Sequence, residues 1–222
     1  MRPSLDLTAP RRPGCDGARH PTSAVLVCST DRARGRLVIA RMGDGEVVVV
    51  SLADGATLAR VPDIGTVRGV AVAASIGRIF ATAAATSQLV AIDATTLTEV
   101  GRVSTGSAPD GVAWDPADQV VGVSDQRDGA LSLIAGGGTG TRTQVRLGAE
   151  TGNVVYHPAR GRFWIAVVLA TGADQLVAID AEQPDPSDHA VAADPTTQRV
   201  YFPLSQGPGG APVLRVMGPS GT

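Results

Sequence analysis

The chain alternates short apolar runs with clusters of turn residues. Between Gly69 and Asp93, Val70–Val72 gives way to Gly77-Arg78, Ile79–Thr82 to Thr86-Ser87, and Leu89–Ile92 ends at Asp93. Short β-branched runs bounded by Gly, Pro, Asp or Ser predict strands joined by tight turns. No long stretch carries a 3.6-residue period. The 27 Gly and 15 Pro residues punctuate the chain too often for helices.

The pattern repeats. Shifted forward by 42 residues, Val112 falls on Val70, Ser124 on Thr82, Leu131 on Leu89 and Ile134 on Ile92. Shifted backward by 42, Gly35-Arg36-Leu37 falls on Gly77-Arg78-Ile79. A further copy places Val154 on Val112, and a fifth places Val191 on Val154 after a spacing of 37 residues. Polar, alternating runs at Thr57–Val61, Leu97–Val103 and Arg142–Leu147 predict a fourth, outer strand in the first three copies. Only AEQPDPS separates Asp180 from Asp188, too short and Pro-rich for such a strand in the fourth copy.

A period of about 40–45 residues with several strands per repeat is the signature of propeller blades. The expectation is an all-β chain: a β-propeller of about five blade-like repeats built from antiparallel sheets. An N-terminal arm spans 1–24, and a single repeat domain spans 25–217. Its units are 25–61, 67–103, 109–147, 152–180 and 188–217. A small sheet cannot hide both faces alone, so neighbours must stack. Ala71, Ala73, Ala113 and Ala192 are expected on the inner strands' faces towards the next blade. Pro203 would remove a ladder donor from a second strand. The ring is either five-bladed or shortened. An open ring would expose two sheet edges and invite self-association. The arm, through Ser4–Thr8, is a candidate outer strand for the last unit.

Composition removes several classes of function. Aromatic residues are 3% and the net charge is −2, which argues against nucleic-acid partners. No apolar run approaches a membrane span, and Met1–Arg19 does not read as a secretory signal. The default expectation is therefore a cytoplasmic location. Cys15 and Cys28 are too few for a disulfide framework and read as free thiols.

Ligands in a propeller gather where the inner strands begin. Arg68, Asp110, Asn153 and His189, with Asp188 adjacent, are aligned there as candidate binding residues at the channel mouth. The bland alternative is that Asp and Asn cap tight turns through their own backbone. His157 falls in a turn position before Pro158, and His20 is assigned no role. Ala135–Thr143 lacks the ending of a phosphate loop and reads as a flexible connector. Ser124–Gly129 lacks an EF-hand's ligand series and reads as a hairpin turn. Trp114 and Trp164 read as inter-blade packing. No Gly-x-Ser-x-Gly elbow is present.

Val90–Ala113, VAIDATTLTEVGRVSTGSAPDGVA, resembles the YVTN-type β-propeller repeat family. The shared pattern is a strand ending in Ile-Asp, a Thr-rich turn, an outer strand, a Gly-Pro-rich turn, then Gly-Val-Ala. Asp115-Pro116 and Asp194-Pro195 resemble the family's turn after the inner strand. The resemblance covers about Val25 to Met217. The naming tetrad is degenerate, as at Phe80-Ala81-Thr82-Ala83, and the family commonly closes as seven blades. Resemblance to propeller lactonases implies a divalent cation held by Asp110, Asn153 and Asp188. Three functions follow as expectations. The first is a non-enzymatic binding scaffold without cofactor, taking a protein or small molecule at the mouth. The second is a metal-dependent lactonase-like hydrolase. The third is a truncated, inactive relic.

Overall fold

The computed structural model describes residues 26–168, 175–180, 192–194, 199–204 and 213–217. Strands β1 (Leu26–Asp31), β2 (Arg36–Arg41), β3 (Glu46–Ser51) and β4 (Thr57–Val61) form the first sheet. The second contains β5 (Val67–Ala73), β6 (Arg78–Ala83), β7 (Gln88–Asp93) and β8 (Glu99–Ser104). The third contains β9 (Pro109–Asp115), β10 (Val120–Asp125), β11 (Ala130–Ile134) and β12 (Arg142–Arg146). β13 (Glu150–His157), β14 (Arg162–Val168) and β15 (Gln175–Asp180) form a fourth sheet of three strands. β16 (Ala192–Asp194), β17 (Arg199–Leu204) and β18 (Val213–Met217) form a fifth. Every pairing is antiparallel between sequence neighbours. The described residues are therefore all-β, in five antiparallel sheets in chain order.

The first strands of consecutive sheets are neighbours: β1 lies on β5, β5 on β9, β9 on β13, and β13 on β16. Among the described residues, no extensive contact returns from the fifth sheet to the first.

The apolar runs are nearly continuous because each intervening sheet is covered on both faces. Strand side chains alternate between faces. Ile79, Ala81, Val90 and Ile92 of the second sheet pack with Val38, Ala40, Val47 and Val49 of the first. The opposite parity, Phe80, Leu89 and Ala91, packs with Val121, Val123 and Ile134 of the third. Leu131 and Leu133 then meet Phe163, Ile165, Val177 and Ile179 of the fourth. Outer strands touch less of this core: β8 has no buried residue. Ala71 packs in the cluster that holds Val112, and Ala113 in the cluster that holds Val154 and Phe163. The side chain of Ala192 lies outside the described residues.

Two details refine the sequence reading. Ala135–Thr143 is not a slack connector. Gly137 and Gly138 adopt left-handed φ of 66° and 83°, Gly137 N–H donates to the Gln119 carbonyl at 2.9 Å, and a Cβ on Gly138 would stand 2.5 Å from the Phe80 ring. A glycine run is needed because the turn folds down onto the second sheet. Pro203 sits inside β17 opposite Leu214 of β18.

Candidate functional site

Each of β5, β9 and β13 carries a register shift near its start, at Val67/Val70, opposite Val123/Asp125, and at Thr151/Val154. An amide at such a shift loses its ladder partner and needs another acceptor. Gly69 N–H donates to Thr82 Oγ1 at 2.7 Å, and the Thr82 hydroxyl donates to the Asp110 carbonyl of the next sheet, also at 2.7 Å. Gly111 N–H donates to Ser124 Oγ at 2.8 Å. Both hydroxyls are fully buried. A Cβ on Gly69 would collide with the Asp110 carbonyl oxygen, so the inner strands meet almost backbone to backbone.

This packing places Arg68 and Asp110 side by side at the same end of the sheets. The Arg68 guanidinium stands 4.0 Å from Asp110 Oδ1, and both side chains are about a quarter exposed (27% and 25%). Arg68 Nη1 also donates to Gln126 Oε1, and Gln126 Nε2 donates to Glu150 Oε1 at 2.6 Å. One polar line thus crosses the second, third and fourth sheets. Burial pushes the Asp110 carboxyl above its ordinary value; Arg68 opposes that shift and Glu150 adds to it. Among the described residues, Arg68 is the only partner of the Asp110 side chain, so this carboxylate does not cap a turn.

Turn capping falls to other carboxylates. Asp93 Oδ1 accepts from the Thr95 and Thr96 amides at 2.8 and 3.0 Å, and Asp115 Oδ1 from the Ala117 amide at 2.8 Å. The Asp93 pKa is lowered first by the Thr96 amide, then by that of Thr95. Asp125, fully buried, accepts from Gly106 N–H at 2.9 Å, Ser132 Oγ–H at 2.6 Å and Gln144 Nε2–H at 3.1 Å. Burial still raises its pKa, although Ser132, Gln144, Gly106 and Arg142 pull the other way. This network ties the 104–108 loop to the third sheet.

Asn153 requires a correction. Counted by the 42-residue period and the register, Gly152 occupies the position of Arg68 and Asp110, and Asn153 that of Gly69 and Gly111. Asn153 is exposed. The aligned set therefore contributes two residues, Arg68 and Asp110, while Asp188 and His189 lie outside the described residues. Gln126 and Glu150 are the members that spacing missed. A cleft of about 530 Å³ opens beside them and is also lined by Arg127 and Arg146.

A second cleft of about 390 Å³ is lined by Ser29, Val72, Trp114, Pro116, Tyr156 and Pro158, from four successive sheets. Trp114 also packs on Phe80 of the second sheet, with ring centroids 6.1 Å apart. Trp164 instead faces His157 of its own sheet, at 6.4 Å. The His157 carbonyl accepts from Arg160 N–H at 3.1 Å in a turn.

Among the described residues, no three His, Cys, Asp or Glu side chains converge as a metal-ligand group. Of the expected cation ligands, Asp110 has the Arg68 guanidinium beside it, and Asp188 lies outside the described residues. Among the described residues, no helix is long and apolar enough to cross a membrane.

No family model matches the chain. No curated protein matches it by sequence. Its fold is similar to that of a solved chain from the Kuenenia stuttgartiensis Hydrazine Synthase, with a TM-score of 0.70 at 13% identity. That likeness covers 85% of this chain and 58% of that one, so the chain spans less than two thirds of its neighbour's length. At such identity the similarity speaks for the fold alone.

Proposed function

We propose that the five sheets are blades of a β-propeller of the YVTN-repeat type, and that the chain is a non-enzymatic binding scaffold. Neighbouring first strands and face-to-face sheets support the architecture. The observation that carries the binding site is the line Arg68–Gln126–Glu150 with Asp110 beside it. It offers a guanidinium and two carboxylates at the strand ends, and its members Gln126 and Glu150 also line a cleft. Such a surface suits a polar small molecule or a protein loop presenting both charge signs.

The lactonase-like reading has less support: Arg68 stands beside Asp110, and among the described residues no acidic set converges there. The relic reading draws on the fourth sheet, which has three strands among the described residues.

Thermal-shift screening of charged small molecules and peptides should reveal ligands whose signal is lost in Arg68→Ala and Glu150→Ala. Metal analysis and lactone hydrolysis should show neither stoichiometric metal nor turnover. Bound metal together with hydrolysis abolished by Asp110→Ala would replace this reading with the hydrolase.

A further inference from the structure

The cleft beside Gln126 and Glu150 holds charge that the polar line does not use. Its walls come from the turn between β10 and β11 and from the segment that joins β12 to β13. Arg127 lies in that turn, and Arg146 is the last residue of β12. Both side chains are exposed. Among the described residues, no carboxylate lies within ion-pair distance of either guanidinium, and neither guanidinium makes a hydrogen bond. Arg41, Arg78 and Arg102, by contrast, each have a carboxylate partner, at 2.7, 2.8 and 2.7 Å.

The acids that line the same cleft are engaged by the fold. Asp128 Oδ2 accepts from Ser107 N–H at 2.9 Å and from Gln144 Nε2–H at 3.5 Å. Glu150 Oε1 accepts from Gln126 Nε2–H at 2.6 Å. The negative charge of the cleft is thus met by donors of the protein, and its positive charge is left over.

The two walls are tied together. Leu147 N–H donates to the Gly129 carbonyl at 2.8 Å, and Thr151 N–H to the Gln126 carbonyl at 3.4 Å. Gly129 has a φ of 58°, and a Cβ on it would stand 2.5 Å from the Ala149 carbonyl oxygen. The turn therefore rests directly on the connection to the fourth sheet. At about 530 Å³ the cleft has the size of a small-molecule site. A ligand would find its walls already assembled, which lowers the cost of ordering them.

We propose that this cleft binds a small oxyanion, whose carboxylate or phosphate oxygens are held by Arg127 and Arg146. A guanidinium presents a planar fork of N–H donors that matches either group. Two such forks favour an anion with more than one charge over a monoanion. The proposal rests on the reading of this end of the sheets as a binding surface, and it adds the chemical class of the ligand.

The test is isothermal titration of the full chain at pH 7 and constant ionic strength. Inorganic phosphate and succinate are the anionic probes, and succinamide is the neutral counterpart of succinate. At least one anion should bind with a Kd below about 1 mM, and succinamide should not. Which of the two binds tells phosphate from carboxylate. Arg127→Gln and Arg146→Gln should each weaken binding by more than about fivefold, and Lys at either position should restore only part of it. Arg160→Gln removes another exposed arginine, in the turn beyond the opposite end of β13, and should change the Kd less than about twofold. Failure of both anions to bind overturns the proposal. So does binding that survives both Gln variants, or that falls equally in Arg160→Gln. If ligands of another class still bind and are lost in Arg68→Ala, the binding-surface reading stands and only the oxyanion falls. If no charged molecule of any class binds, both fall.

Discussion

A Cβ placed on Gly111 would stand 2.6 Å from the amide nitrogen of Val154 in the next sheet. The same closeness joins Gly69 to Asp110 one sheet earlier. Alanine at either position overpacks a contact made by backbone, which cannot swing aside. Gly111→Ala and Gly69→Ala should each destabilise the protein by about 1–3 kcal/mol in urea melts. Loss of less than a few tenths would mean that the inner strands separate freely.

Thr82 makes the sharper case, because its hydroxyl serves two sheets. Thr82→Val keeps the shape but strands the Gly69 amide. The expected cost is about 1–3 kcal/mol, with Thr82→Ser close to wild type. Equal losses for both variants would assign the effect to packing.

The raised pKa of Asp110 makes a pH prediction with a definite sign. The folded state holds this proton to higher pH than the unfolded chain does. The group's contribution is therefore complete below the ordinary Asp value of about 3.9, and is lost as pH rises through the folded pKa. Asp54, Asp93 and Glu99, whose pKa values are lowered, act in the opposite sense and lose their contribution as pH falls. Relative to wild type, Asp110→Asn should gain stability as pH rises above that value. Denaturation curves that stay parallel through the window would contradict the assignment.

Gly138→Ala tests the turn on the second sheet. Left-handed φ and the nearby Phe80 ring oppose a side chain together. A loss of about 1–3 kcal/mol is expected, whereas a slack loop would tolerate the change.

Strands were legible where the hydrophobic pattern is unambiguous. The expected outer strand Thr57–Val61 is β4, and the runs at Val70, Ile79 and Leu89 lie in β5, β6 and β7. The 42-residue shift also located Arg68 and Asp110 at one end of neighbouring strands. The same shift points to Gly152, not Asn153, in the fourth repeat; Asn153 stands where the earlier repeats have Gly69 and Gly111. Glu150 lies just before Thr151, the counterpart of Val67 and Pro109, so the mouth was legible to within a residue or two there. Gln126 had no such signal. Its partners come from two other sheets, and no spacing along one strand encodes that meeting.

Sheets that are greasy on both sides give the molecule an interchangeable grammar. Val90 and Ile92 face backward in β7, as Val177 and Ile179 do in β15. A chain spliced from one such strand to the other would rejoin surfaces of the same parity, with no exposed seam inside. Whole modules can therefore enter or leave the interior of this polypeptide at little risk to its core, and the strain of such an event falls on the rim, where a strand is left looking for a neighbour.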